Sequence, residues 1–279
     1  MKNAITYFCR YYCKHLFAKF PSRLNKVVQH FGEIPAGIKK NNRPKDRQPQ
    51  LHADNKSAKQ KLTAATVLAA GTAFLWIGAI LAWCARLLAK IMDILGMPEL
   101  IESLALMAKK NATRPLNPLE IAEARRVFAD TLPYDQIRID EKSIIAHTGA
   151  MFIRARQLGV CTFHTINFTR KINPKPGNTD MAWLIHELVH VAQMQHLGCQ
   201  YVGEALYAQL TGGYNYGGQD NLKGKKLSDF NREQQAEIAR DFYYHVLCNQ
   251  NFYDSRHRLI TPNSDIYIPY IKQLQQGRF

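Results

Sequence analysis

The sequence has no CxxC pair and few acidic residues. Its six cysteines, at positions 9, 13, 84, 161, 199 and 248, are not spaced like the ligands of a structural zinc ribbon, so we expect free thiols or core side chains. Acidic residues number 22 against 37 Lys and Arg, which gives a net charge of +15. No signal peptide is expected, because Lys2, Arg10 and Lys14 interrupt any apolar run. The 46% hydrophobic content nevertheless suffices for a core and argues against wholesale disorder.

The positive charge is concentrated in residues 1–61. This arm holds 14 basic and 3 acidic residues, so it carries +11 of the +15. Its last part, 41–61, is polar and contains proline, which is typical of a linker. A basic arm can bind nucleic acid or anionic lipid. We expect membrane lipid and no nucleic acid, because of the segment that follows.

Residues 62–85 contain no charged side chain. As a helix, 24 residues would extend about 36 Å, against about 30 Å for the hydrocarbon core of a bilayer. The stretch therefore predicts a membrane-spanning helix, with a buried core helix as the alternative. Lys and Arg are more frequent before it than after it, which predicts a cytoplasmic arm and a C-terminal part across the membrane, in the periplasm.

The residues after position 110 predict an α+β domain. Helical spacing begins at Asn117-Pro118. The predicted elements are a helix at 117–132, strands within 134–147 and 160–169, a helix at 180–197, a glycine-rich loop at 211–229 and a last long helix at 231–250. The sequence thus predicts three parts: an arm at 1–61, an apolar helix with its connection at 62–110, and an α+β domain at 111–279.

The stretch HELVH at 186–190 predicts a metal site. On a helix, His186 and His190 lie one turn apart on one face, so both imidazoles can reach one ion. Glu187 points elsewhere and can accept a proton from the attacking water as the catalytic base. Zinc in a catalytic site usually takes three protein ligands, so one more is needed.

Two residues compete as the third ligand. His196 lies ten after His186, but the metzincin pattern needs a glycine at position 193, where this chain has Gln. Glu233 is the preferred candidate, because Glu237 follows one helical turn later and can hydrogen-bond a ligand histidine. Tyr244 lies on the same helical stripe and is a candidate stabiliser of the transition state; Tyr243 and His245 flank it.

HELVH followed by EQQAE at 233–237 resembles the gluzincin pattern of zincin-like metallopeptidases. The lead-in RPLNPLEIAEARRVFADTLPYDQIRID resembles small bacterial zincin-like domains associated with spike proteins and effectors of type VI secretion and related injection systems. The resemblance covers about residues 113–250; Glu237 stands where Asp is commoner. It implies Zn²⁺ on His186, His190 and Glu233, with Glu187 catalytic.

These features predict a zinc metallopeptidase that hydrolyses peptides or peptidoglycan peptides and acts as a membrane-associated toxin or secreted effector. Its expected partners are a peptide or protein substrate, membrane lipid, and a secretion-system spike or immunity protein. The alternative is a non-catalytic zincin-fold module whose apolar helix inserts into membranes or docks to a secretion apparatus. Replacing Glu187 by Gln separates the two, because the metal should stay while hydrolysis should be lost.

Overall fold

The computed structural model describes residues 19–27, 29–30, 77–100, 113–211, 213–253 and 259–279. The chain divides into a compact unit of Leu16–Leu95 and a second unit that contains Gly96–Phe279. The linker predicted at 41–61 lies outside the described residues, and the division into three parts at 61 and 110 stays a prediction.

Two helical segments, 19–27 and 77–94, are described in the first unit. Arg23 Nη1 donates a hydrogen bond of 2.6 Å to the carbonyl oxygen of Asp93. The imidazole of His30 stacks on the indole of Trp83, with ring centroids 5.0 Å apart. These contacts join the two segments within their own unit.

The membrane-spanning helix predicted at 62–85 is wrong. Among the residues that the structure describes, no helix is both long and apolar enough to cross a bilayer. Residues 62–76 lie outside the description, and the described helix runs from 77 to 94. That helix carries Arg86, Lys90 and Asp93, and charged side chains within a span are costly in hydrocarbon.

The second unit is α+β, with a small four-stranded sheet of order β1-β2-β4-β3. β2 pairs in parallel with β4, whereas β1 and β3 are antiparallel to their neighbours. Its main elements are β1 (Thr113–Pro115), α1 (Pro118–Phe128), β2 (Arg138–Glu141), α2 (Ile144–Ile153), β3 (Gly159–Thr162), β4 (Thr165–Phe168), α3 (Thr179–Leu197), α4 (Gln200–Thr211), α5 (Arg232–Asp241), a π-helix (Phe242–Leu247), the short pair β5 (Phe252–Tyr253) and β6 (Leu259–Ile260), and α6 (Ser264–Gln275).

Local capping explains where several helices begin. Asn117 accepts a hydrogen bond from the Glu120 amide at the start of α1, and Asn231 accepts one from the Gln234 amide at the start of α5. α3 ends at Gly198, which has a φ of 65°. These boundaries confirm the predicted helix starts at 117 and 231 and the predicted end near Gly198.

Two element predictions are wrong in part. Residues 144–147, predicted as strand, begin helix α2, because Ala146 and Ala150 lie one turn apart and both pack inward. The helix at 231–250 is neither continuous nor the last one. It changes to a π-helix at Phe242, and α6 follows at Ser264–Gln275.

Helix α3 lies at the centre of the core. It packs along α5 on one side and against β3 and β4 on another. Its residues from Met181 to Met194 are buried except for Trp183, which is half-buried. The predicted metal residues therefore lie inside the core, where neighbouring elements fix their side chains.

Candidate metal centre

Helix α3 brings His186 and His190 together. Their exposed fractions are 5% and 4%, and their Nε2 atoms lie 3.2 Å apart. One helical turn separates the two residues, so both rings point to the same place beside the helix. The predicted pairing of these two imidazoles is present in the structure.

Helix α5 delivers Glu233 to the same place. Asn231 caps this helix, and Glu233 follows in its first turn with only 2% of its surface exposed. Glu233 Oε2 lies 3.3 Å from the Nε2 of His186 and 3.3 Å from the Nε2 of His190. The three side chains form a buried group that could hold a metal ion.

The spacing of these three atoms fits a small tetrahedral ion. Ligand atoms at about 2.0–2.1 Å from zinc lie roughly 3.3 Å from one another at tetrahedral angles. The three separations here are 3.2, 3.3 and 3.3 Å. Two imidazoles and one carboxylate are also the donor types of catalytic zinc sites. The residues present therefore fit zinc.

Glu237 contacts His186 at Nδ1, the ring nitrogen that does not face His190. Its Oε1 lies 3.0 Å from His186 Nδ1, although the ring N–H does not point straight at the oxygen. Its other oxygen accepts from Arg240 Nη2 at 2.6 Å, and the same guanidinium nitrogen reaches Asp241 Oδ1 at 3.0 Å. Arg240 thus compensates the charge of Glu237. The structure places Glu237 next to His186, as the sequence predicted.

Two buried amides orient His190, and the sequence analysis did not anticipate them. Gln235 Nε2 donates to the carbonyl oxygens of Leu227 and Phe230, so its Oε1 faces Gln193. Gln193 Nε2 donates to Gln235 Oε1 at 2.8 Å and to the Arg232 carbonyl oxygen at 3.1 Å.

Backbone carbonyls only accept, so they fix the direction of both amides. Gln193 Oε1 is therefore left to face His190 Nδ1, 2.8 Å away. His190 donates from Nδ1, and the lone pair of its Nε2 points to the metal centre. The hydrogen-bonded amides of Gln193 and Gln235, here called the amide chain, thus select the tautomer of His190 that can bind a metal.

The two carboxylate oxygens of Glu187 differ in their contacts. Trp183 Nε1 donates to Glu187 Oε1 at 3.1 Å, whereas the buried Oε2 has no hydrogen-bond partner among the residues that the structure describes. Burial raises the pKa of Glu187, and the neighbouring imidazoles act in the opposite direction. Gly159 lies directly against this carboxylate, and a Cβ there would overlap Oε1. A carboxylate with an unpartnered basic oxygen is suited to accept a proton.

The electrostatics of the centre favour a cation. Burial lowers the pKa of His186, but Glu233 and Glu237 outweigh that effect and raise it to about 10. The pKa of His190 is also raised, since Glu233 outweighs burial. Burial raises the pKa of Glu233, but the two histidines lower it more strongly. Buried carboxylates and imidazoles in this arrangement require positive charge from protons or from a metal ion.

The centre opens into a cleft of about 560 Å³. Its walls come from the segment before β3, from α3, from the loop after α4 and from the end of α5 with the π-helix; the lining residues are Gln157, Leu158, Gly159, Thr179, Ala182, Trp183, His186, Glu187, Tyr214, Glu237, Arg240, Tyr244 and His245. β3 is at an edge of the described sheet. An extended peptide could pair with this edge beside the centre.

The remaining predicted residues divide into those at the cleft and those away from it. Tyr244 and His245 line the cleft. The Tyr243 hydroxyl is turned away and donates to Glu123 at 2.6 Å. His196 packs against the ring of Phe279, with centroids 5.6 Å apart, and is not part of the metal group.

Tyr214 is a cleft residue that the sequence analysis missed. It belongs to the glycine-rich loop, and its ring centroid lies 5.8 Å from that of His186. Burial, together with the charge of Glu233, raises the pKa of its phenol, which therefore keeps its proton. A protonated phenol at the cleft is a hydrogen-bond donor. The loop's glycines gave no sign of which residue would face the cleft.

The comparisons with known proteins gave one partial relative. The chain is similar to the type VI secretion system spike protein VgrG2b of Pseudomonas aeruginosa, at 27% identity over 150 residues. The match covers 47% of this chain and 13% of that protein, so the chain spans only a small part of its relative. No family model matches, and no solved structure matches. The similarity supports a link to type VI secretion and leaves the gluzincin resemblance unconfirmed.

Proposed function

We propose that this protein is a zinc-dependent metallopeptidase associated with type VI secretion. The observation that carries the proposal is the triangle of His186 Nε2, His190 Nε2 and Glu233 Oε2, with sides of 3.2, 3.3 and 3.3 Å. Beside it lies the buried Glu187 Oε2, which no group in the described part of the chain hydrogen-bonds. The triangle matches the ligand spacing of zinc, and the free oxygen matches a general base.

His186, His190 and Glu233 would hold the ion. Bound zinc supplies Lewis acidity, which polarises a peptide carbonyl and makes water more acidic. Glu187 accepts the proton of the attacking water at Oε2 and returns it to the leaving amine, while Trp183 holds its other oxygen in place. Tyr214 and Tyr244 line the cleft and supply phenol donors for the developing oxyanion.

The secretion link rests on the relative. VgrG2b is a type VI secretion system spike protein, and 47% of this chain is similar to it. On that basis the protein acts as a secreted effector, with a spike or an immunity protein as partner and a peptide or peptidoglycan peptide as substrate. The cleft beside the edge strand β3 suits an extended chain of either kind.

The experiment combines metal content with hydrolysis. Wild type and Glu187→Gln should each carry one zinc per chain by elemental mass spectrometry. The variant should keep its zinc because Glu187 donates no ligand atom to the triangle. Only wild type should cleave a fluorogenic peptide library or purified cross-linked muropeptides, because the Gln side chain cannot accept the proton of the attacking water.

Equal cleavage by Glu187→Gln would refute the catalytic role. If wild type binds zinc but cleaves neither substrate, and both proteins are equally toxic when sent to the periplasm, the non-catalytic docking module is the correct function.

A further inference from the structure

Helix α2 presents apolar side chains to solvent. The exposed fractions of Ile144, Met151 and Phe152 are 81%, 71% and 78%. Their spacing of seven and eight residues places them on one arc of the helix. Ile153, the last residue of the helix, is 53% exposed. An exposed apolar cluster of this kind usually marks a binding surface.

The helix cannot turn this face inward. Ala146 and Ala150 are buried on its opposite side, where α2 packs on β3 and β4. A Cβ on Gly149 would lie 2.9 Å from Leu158 Cδ2, so the small side of the helix fits closely against the start of β3. The large apolar residues therefore project outward permanently.

Basic residues flank the apolar face. Lys142 precedes the helix, Arg154 and Arg156 follow it, and all three are exposed. The segment 142–157 contains no acidic residue. An apolar helix face with a rim of Lys and Arg matches the chemistry of an anionic lipid surface, where side chains enter the acyl boundary and cations meet phosphates.

We propose that the outer face of α2 with its basic rim is a peripheral binding surface for anionic lipid bilayers. Side chains that are more than two-thirds exposed project from the helix and do not line a groove. A bilayer accepts such side chains without a complementary pocket. This contact is not a membrane span, because the ten residues of α2 extend only about 15 Å.

The position of α2 connects lipid binding to the cleft. The chain leads from α2 into Gln157, Leu158 and Gly159, which line the cleft. A protein seated on α2 therefore holds the cleft close to the lipid surface. If the proposed peptidase function holds, its substrates include peptides attached to or close to a membrane. Lipid binding by itself does not depend on the metal centre.

Hydroxyl-radical footprinting of the full chain tests this surface directly. The arm at 1–61 is itself basic and can bind anionic vesicles, so the measurement must report on the side chains of α2 alone. Oxidation of Met151 and Phe152 is measured with vesicles of phosphatidylcholine alone and with vesicles that also contain phosphatidylglycerol. Tyr253, which is 54% exposed and lies outside α2, is the internal reference.

We expect phosphatidylglycerol vesicles to lower the labelling of Met151 and Phe152 on the order of tenfold relative to Tyr253. Burial of these two side chains in the bilayer favours the membrane-bound state over the free protein by at least about that factor. The Lys142→Gln/Arg156→Gln variant should keep high labelling. The control Lys223→Gln/Lys225→Gln, which loses the same charge from an exposed loop, should behave as wild type.

Three results would overturn the proposal. The first is unchanged labelling with both vesicle types. The second is equal protection on phosphatidylcholine alone, which removes the role of the anionic headgroup. The third is protection that appears without vesicles as protein concentration rises, which assigns the face to a second copy of the chain. None of these results bears on zinc binding or hydrolysis.

Discussion

Replacing Gln193 by Met tests whether the buried amide chain controls the metal centre. Met has nearly the same length and stays apolar, so the change removes hydrogen bonds with little loss of packing. It deletes the acceptor for His190 Nδ1 and the donor to the Arg232 carbonyl oxygen. It also deletes the donor to Gln235 Oε1, which keeps a hydrogen bond from Arg232 Nη1 at 3.2 Å. Gln193 itself is fully buried, and so water cannot replace any of these bonds.

The size of the effect follows from what loses its partner. His190 keeps a buried N–H without an acceptor, which costs about 1–3 kcal/mol. The Arg232 carbonyl keeps its helical bond and loses a net contribution of about 1 kcal/mol. We therefore expect the free energy of unfolding to fall by about 2–4 kcal/mol. Zinc affinity should fall about 10–100-fold, because the His190 ring loses its orientation and fixed tautomer.

Zinc affinity is measured by competition with a chromophoric chelator, and stability by denaturant unfolding of the metal-free protein. The matched control is Gln195→Met, two residues further along the same helix at an exposed position. It should leave both quantities unchanged. If Gln193→Met binds zinc as tightly as Gln195→Met does, the amide chain does not position His190 and the reasoning is wrong.

Three further predictions follow from the same geometry. Glu233→Ala should weaken zinc binding by more than roughly 100-fold, which is the upper range for losing a residue that only hydrogen-bonds a ligand, because here a ligand itself is lost. Unchanged stoichiometric zinc in elemental analysis would contradict the role of the triangle. Gly159→Ala should keep zinc but slow peptide cleavage about 100-fold, because its Cβ displaces the Glu187 carboxylate, and normal turnover would refute that contact. The pKa of His186 is about 10 in the folded protein, against an ordinary value of 6.5. Protonation of His186 therefore stabilises the metal-free fold fully below pH 6.5, and this stabilisation is lost progressively as the pH rises to about 10. Zinc needs the neutral ring, so the gain in thermal midpoint on adding zinc should widen over that interval; a constant gain would contradict the charge balance.

The sequence predicted the grouping of His186, His190 and Glu233 because its signals are local or repeated at helical spacing. HELVH fixes two imidazoles on one turn, and Glu233 with Glu237 repeats that spacing on a second helix. Asn117, Asn231 and Gly198 mark helix ends by side-chain or backbone chemistry that needs no tertiary context. These features were therefore predictable from residue order alone.

The errors come from features that depend on tertiary contacts. Ile144 and Ile145 read as strand, but the small residues Ala146 and Ala150 seat that segment on the sheet as a helix. The membrane-spanning prediction depended on the uncharged run at 62–85, whereas the helix described from 77 continues to 94 through three charged residues. Apolar composition in a window does not show where a helix begins or ends.

The contact of Gly159 with Glu187 joins a strand to a helix 28 positions later, so no local pattern reports it. The same holds for Gln193 and Gln235, whose bond exists only because α3 and α5 lie side by side. These contacts hold the side chains of Glu187 and His190. Sequence could thus name the three grouped residues and Glu237, but not Gly159, Gln193 or Gln235, whose contacts depend on the tertiary fold.

Gln193 contributes to the arrangement of the candidate metal centre in two ways. A glycine there could break α3 and swing His196 towards the imidazole pair, whereas Gln193 continues the helix and leaves His196 against Phe279. The same Gln193 bonds to Gln235 and to the Arg232 carbonyl, and so ties α3 to the helix that carries Glu233. Gln193→Gly alone would not recruit His196, because the backbone at Gly277 packs directly on that ring. The position of Glu233 beside the two imidazoles therefore depends on the continuation of α3 and on its bonds to α5.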